Sequence, residues 1–424
     1  MKTIHAILYS TLFMTPIMAS AEITDIDSAK LVDSASSIAA GDTWNITSTG
    51  SVEVRNATLD ILGGITNSNS GESIMVNAAN GQTSTVNLNG GSISTSVNTS
   101  LNLGKDWAGG VVNFNMTNGA EISQGSNAIN IEIGRNAKTY LNVDSTSSIT
   151  ANQITLATRG GNTNYWAEVN VNGGSISLSA DFVAAAERDG GTSAFLNISD
   201  GGTMTARDMK LQDSKIGSDT QPNVAVAVIK GANSSLELSR HMVLGNTSTS
   251  GNANDRGELV IHTGSYVRVS AITTVNNTGL LRVKLDSSNL ASSSPLLTAV
   301  QDTYLYNNDG AKKSIIIDGE LLDSAGQDAS IVLFKFESAQ GNLKLNNVRT
   351  IFSDLEAALV DFIGFENNTN LAFWEDFGYG DLVFDNSTFT ISLNLTAKAI
   401  PEPAAFAAIF GALAMALASY RRRR

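Results

Sequence analysis

Charged side chains recur at one kind of place along this chain: Lys105-Asp106, Arg135, Arg159, Glu187-Arg188-Asp189, and Asp213 with Lys215. Each group follows a short stretch that alternates apolar and polar residues, so a repeating structure would collect them along one edge. Clustered carboxylates on such an edge could cleave a glycosidic bond by general acid and base, and an arginine base near a calcium site could serve polysaccharide lysis. Only Glu187-Arg188-Asp189 is locally dense, and it carries no recognisable acid/base spacing. The competing reading is a solvated corner whose mixed charges keep an elongated molecule soluble. Trp107 and Trp166 sit in matching contexts, Trp107-Ala108 and Trp166-Ala167, with Tyr165 beside the second. Their rings could grip sugars, or fold over an apolar edge and shield it. Lys105, Trp107, Arg135, Arg159 and Trp166 together make a candidate ligand edge, with no catalytic residue assigned.

Other chemistry finds little support. His5 lies near the N-terminus, which leaves His241 and His262 in adjacent repeats. One precedes a strand and the other ends one, so a surface or turn role is expected rather than a shared metal. No glycine-rich loop leads into a helix, which leaves a phosphate cradle unsupported. The absence of cysteine excludes disulfides and thiolate metal sites. No cofactor and no metal are expected.

The elements that position these residues form an array. Val86-Asn87-Leu88-Asn89-Gly90-Gly91-Ser92-Ile93-Ser94 returns nearly letter for letter from Val169 to Ser177, with weaker copies from Leu59, Val112, Leu141 and Leu196. Gly64, Gly91, Gly119, Gly174, Gly202 and Gly231 mark a beat of 27 to 29 residues, with one copy skipped between Gly119 and Gly174. A second short strand follows each glycine turn, as in Leu101–Gly104, Ile131–Gly134, Ile154–Leu156, Met209–Leu211 and Met242–Gly245. Alternation over such short runs marks half-buried strands, and units this small bury a core only by stacking. The chain is therefore expected to be all-β, a parallel β-solenoid of about eight coils over residues 51–279. Residues 22–50 are expected as an N-terminal cap and residues 280–398 as a C-terminal β-rich cap. In the latter, Ile315–Ile317, Ile331–Phe336 and Phe389–Leu395 predict strands. Ser353-Asp354-Leu355-Glu356 predicts a capping box opening a helix with Leu355, Leu359 and Phe362 on one face. Within the array, Asn87, Asn113, Asn142, Asn170 and Asn197 each lie between two apolar residues. They are expected to stack on the outer face as an amide ladder.

The two ends carry a different kind of signal. Lys2 and His5 precede an apolar stretch from Ala6 to Met18, and Ala19-Ser20-Ala21 gives a small-x-small cleavage pattern, so residues 1–21 read as a signal peptide. Residues 399–424 combine Pro401-Glu402-Pro403, an uncharged stretch from Ala404 to Tyr420, and Arg421, Arg422, Arg423 and Arg424. Seventeen helical residues span about 25 Å, the short limit for a bilayer, with the arginines held on the cytoplasmic side. This tail closely resembles the PEP-CTERM sorting signal of Gram-negative bacteria. The resemblance implies transient anchoring in the inner membrane, cleavage by an exosortase-type membrane protease, and delivery to the cell surface or extracellular matrix. The repeats resemble the β-strand repeats shared by autotransporter passengers and PEP-CTERM proteins, but the arginine-ended tail is not the run of amphipathic strands that an autotransporter barrel needs, so self-translocation is not expected.

Composition agrees with this outline. Five prolines against 37 glycines suit strands joined by tight turns. A net charge of −13 argues against nucleic acid as a partner, and removal of Lys2 and the four arginines makes the chain more acidic still. The expected function is a structural or adhesive surface protein, with extracellular polysaccharide as the partner in view. The alternative is a carbohydrate-active β-helix enzyme.

Overall fold

The computed structural model describes residues 21–395, apart from 107–108, 158–164, 185–190, 214–221, 248–253, 291–293, 307–312, 322–328, 338–342, 347, 351–358, 360, 367–381 and 386. Its described residues build three long sheets of 14, 13 and 12 strands. Each sheet takes every third strand of the chain through most of its length, so one circuit of the chain adds one strand to all three. Ser92–Thr95, Thr99–Leu103 and Val111–Thr117 make one such circuit. They pair in parallel with Glu121–Gln124, Ile129–Ile133 and Lys138–Val143 of the next. Long parallel sheets stacked in this way are a β-solenoid.

The cause is visible in the burial pattern. Val111–Thr117 alternates half-buried and buried residues without a break, sending Val112, Phe114 and Met116 inward. Parallel register then stacks like on like. In the first sheet Ile65, Ile93, Ile122, Ile149 and Ile176 form one column. In the third, Val86, Phe114, Leu141, Val169 and Leu196 form another. All ten are buried, so one continuous core runs along the molecule. Burial of each such side chain is worth about 1.5–3 kcal/mol, enough for stacking to stabilise circuits that could not fold alone.

Corners fix the path between sheets. Where the second sheet hands over to the third, Gly104, Gly134, Ala157, Gln212 and Gly245 all have positive φ. At Gly245 two demands coincide: φ is +72°, and a Cβ would lie 2.0 Å from the backbone nitrogen of Gly279 in the next circuit. Gly81 shows the first demand without the second, with φ +71° and open space around it.

The parallel ladders outrun the sequence repeat. They begin at Ile23–Ile26, which pairs with Thr43–Ile46 inside the segment expected as an N-terminal cap. They continue through Gly279–Asp286, Ile315–Leu321 and Ile363–Glu366 in the segment expected as a C-terminal cap. Antiparallel pairing appears only there among the described residues: Thr390–Leu395 runs back along Ala329–Phe336 and along Leu382–Asp385, and Val348–Thr350 along Leu343–Leu345. The three strands predicted from sequence in this region all form. The capping box at 353–356 lies outside the described residues, while Leu359 and Phe362 beyond it are buried.

Gly245→Ala should destabilise the protein by more than about 2 kcal/mol, because strain in φ adds to a backbone clash. Gly81→Ala should cost only the φ strain, about 1 kcal/mol. Urea unfolding of the two variants separates these outcomes, and equal losses would mean the close approach at Gly245 is not rigid.

Candidate amide-lined groove

The outward face of the third sheet carries the most regular chemistry in the molecule. Register places Asp60, Asn87, Asn115, Asn142, Asn170 and Asn197 at one position of successive strands. Each amide nitrogen donates to the residue one rung earlier. Asn87 Nδ2 reaches Asp60 Oδ1 at 2.8 Å, Asn115 reaches Asn87 at 2.9 Å, and Asn142 reaches Asn115 at 2.9 Å. Asn170 reaches Asn142 at 2.9 Å and Asn197 reaches Asn170 at 2.8 Å. The expected ladder exists with one correction: Asn113 is not a member, and Asn115 takes its place. The strand Val-Val-Asn-Phe-Asn-Met-Thr holds two asparagines on the same face, and Asn113 pairs instead with Thr85 and Tyr140.

All five bonds point the same way, so the amide dipoles add along the column, as peptide dipoles do in a helix. The donor end rests on a carboxylate, Asp60. Beyond the acceptor end, Lys230 follows the strand that pairs with Asn197, and it lines the same groove. Charges of the favourable sign therefore sit at both ends.

The groove over this ladder has a volume of about 1030 Å³ and is open to solvent. Asn89, Thr117, Asp144, Asn172 and Ser199 form its second polar row. Asp144 is a turn carboxylate: slight burial raises its pKa, but hydrogen bonds from Ser147, Asn118 and Thr146 outweigh this and hold it below the usual range. On the other flank, Glu168 accepts from Trp166 Nε1 and from Asn197 Nδ2, both at 3.2 Å. The Trp166 ring lies 4.5 Å from that of Phe195. Trp166 thus stands on the third sheet, packed against another ring and tied to Glu168.

That corner is only partly described. Lys105 and Arg135 do occupy equivalent places on neighbouring circuits, each following a glycine that stacks on its counterpart. Lys105 is ion-paired with Glu72. Arg159, Glu187, Arg188, Asp189 and Lys215 lie outside the described residues, as do Trp107, Ala19, Pro401, Glu402, Pro403 and Arg421–Arg424; Ala21 is described and exposed. Asp213 has a raised pKa, because burial outweighs the nearby Lys210.

A second charged cluster, missed by sequence reasoning, occupies the same sheet face nearer the C-terminus. Arg282 is ion-paired with Glu258 at 2.7 Å, Asp318 at 3.3 Å, and Glu366. Its partners hold the guanidinium charged despite the opposing effect of burial. Glu258 and Asp318 are buried. Arg256 also pairs with Glu258 at 3.0 Å and Lys284 with Asp318 at 3.7 Å, so the cluster is built as an ion network and not as a free acid and base.

The histidines fall at different corners. His241 Nδ1 accepts from the Ile272 backbone at 3.3 Å, and His262 closes the strand Arg256–His262. Burial, with Lys284 nearby, lowers the pKa of His262 below 6.5. No group of three or more metal-ligating side chains occurs among the described residues, and no helix among them is long and apolar enough to cross a membrane.

Asn142→Ala removes one bond it donates and one it accepts and should cost about 1–2 kcal/mol. Asn113→Ala, which lies outside the ladder, should stay within about 0.5 kcal/mol. Thermal or urea unfolding checks the difference. For His262 the unfolded chain binds the proton more tightly, so stability should fall as pH drops below 6.5 and level off once the folded imidazole protonates. His262→Gln should flatten that slope in unfolding measured across mildly acidic pH.

Searches of protein-family models, curated proteins and solved structures return no match to this chain.

Proposed function

We propose that this protein is an exported, non-enzymatic component of the cell surface or extracellular matrix. Its working part is a β-solenoid with about eight regular coils and capping segments at its ends. A signal peptide over residues 1–21 starts export. The tail over residues 399–424 anchors it transiently in the inner membrane until an exosortase-type protease acts near Pro401-Glu402-Pro403.

The observation that carries this function is the amide ladder. A face whose rungs repeat one side chain over five asparagines is uniform along its length. Catalysis needs one rung to differ from its neighbours, with an acid and a base placed for a single bond. The carboxylates bordering the groove have other work: Asp60 ends the ladder, Asp144 closes a turn, and Glu168 ties Trp166 to Asn197. The tail supports delivery, since a plain anchor explains the apolar run and the arginines but not the Pro-Glu-Pro.

The enzymatic alternative draws on the groove itself, an open trough on a solenoid face with carboxylates on its margins. Incubation with neutral and acidic polysaccharides, with and without calcium, should give no depolymerisation. Cleavage that disappears in Glu168→Gln would reverse the assignment.

Replacing Pro401 and Pro403 with alanine should leave the protein unprocessed in the membrane fraction of its native host. Normal maturation of that variant, followed by immunoblot, would remove the sorting role from the tail.

A further inference from the structure

We infer that the amide-lined groove on the third sheet is a binding site for an extended, uncharged polysaccharide lying along the solenoid axis. This rests on the surface or matrix function proposed above and names its partner.

The argument starts from unspent hydrogen-bonding capacity. A primary amide offers two N–H donors and two acceptor lone pairs. The ladder uses one donor of each asparagine, and one lone pair of Asn87, Asn115, Asn142 and Asn170. Each of these four therefore presents one N–H and one lone pair away from the column. A donor and an acceptor side by side match the complementary pair on two neighbouring sugar hydroxyls. The amides are half-buried and fixed by their neighbours, so little side-chain entropy is lost when a ligand engages them.

Periodicity then selects a polymer. The same pair recurs at the four rungs Asn87, Asn115, Asn142 and Asn170, about 4.8 Å apart. A ligand that satisfies one rung and repeats at that spacing satisfies all of them. An extended chain of linked pyranose units offers hydroxyl pairs along its whole length, whereas a small molecule would use one rung and leave the rest idle. Six ladder positions from Asp60 to Asn197 span about 24 Å, room for roughly five sugar units.

Charge and ring placement narrow the class. Asp60, Asp144 and Glu168 line the groove against Lys230, so the trough is acidic on balance and disfavours a polyanion. Tyr140 and Phe195 stand on the same outer face, two residues before Asn142 and Asn197, in register with Glu168 between them. Trp166 packs on Phe195. Together they put ring surface on the sheet face next to Glu168, beside the groove, against which the apolar faces of sugar rings can rest.

The test uses the full chain in detergent, with and without tail processing, and calorimetric titration of linear neutral β-glucan oligosaccharides. A six-unit oligosaccharide should bind, and a two-unit one should bind at least tenfold more weakly, because it engages fewer rungs. Thr117→Trp fills the groove without removing a ladder amide and should weaken six-unit binding at least tenfold. Asn142→Leu should do the same, with circular dichroism confirming that the fold persists. Equal affinity for two and six units would overturn the inference, as would binding unaffected by Thr117→Trp. Preference for an acidic polysaccharide would assign the groove to a different partner and overturn it too. Binding does not depend on cleavage at the tail. A normally maturing Pro401/Pro403 variant that still binds glycan refutes the sorting route alone, while failed binding by a correctly matured protein refutes this site alone.

Discussion

Every circuit of this chain must bring each strand back beside its predecessor in register, because the backbone hydrogen bonds between circuits are parallel and continuous. That single requirement propagates outward. It stacks Ile65, Ile93, Ile122, Ile149 and Ile176 into a column inside the molecule. By the same register it stacks asparagines into a column outside. Inner columns supply the apolar burial that a cysteine-free chain depends on, and outer columns inherit whatever chemistry the sequence repeats. Corners are subordinate to this demand. Gly245 has no side chain because the next circuit passes too close to allow one.

Much of this could be read from the residues alone, and the reasons are specific. Val86 to Ser94 and Val169 to Ser177 share spelling because they share a structural role, so strands, turns and their order followed from the copies. The ladder was legible in four of its five asparagines. Asn113 misled because strand alternation has a period of two: Asn113 and Asn115 occupy the same face, and only pairing with Asn87 distinguishes them. Asp60 could have been found, since Leu59-Asp60-Ile61 stands where other copies carry an asparagine. Parallel pairing beyond Leu280 was not legible. There the circuits keep their strands but vary their connections, and a spelling repeat vanishes before a structural one does. Arg282 and its three carboxylates were hidden for a related reason, being scattered from Glu258 to Glu366 and joined only by stacking.

The outer face of the third sheet thus changes character along its length. Asparagines occupy the ladder position up to Asn197, after which Val228, Val260, Arg282 and Ile316 follow in the same register. Amide bonding gives way to aliphatic contact and then to ion pairing. An amide-lined, hydrogen-bonding stretch is therefore bounded by one with different solvation, and the groove lies over the former. Trp166, read from sequence as part of a candidate ligand edge, stands in the third sheet with its ring on Phe195 and its Nε1 bonded to Glu168, which lines the groove.

The one-to-one pairing of neighbouring circuits has an evolutionary corollary. Asn142 bonds to Asn115 behind it and Asn170 ahead of it, and both contacts have the same geometry. Duplication of the stretch that separates two such residues would splice a new circuit between old ones and reproduce both bonds unchanged. Excision of one circuit would rejoin its neighbours in the same way. The length of the groove is then a heritable trait adjustable in steps of one strand spacing, with no compensating mutation required at the seam.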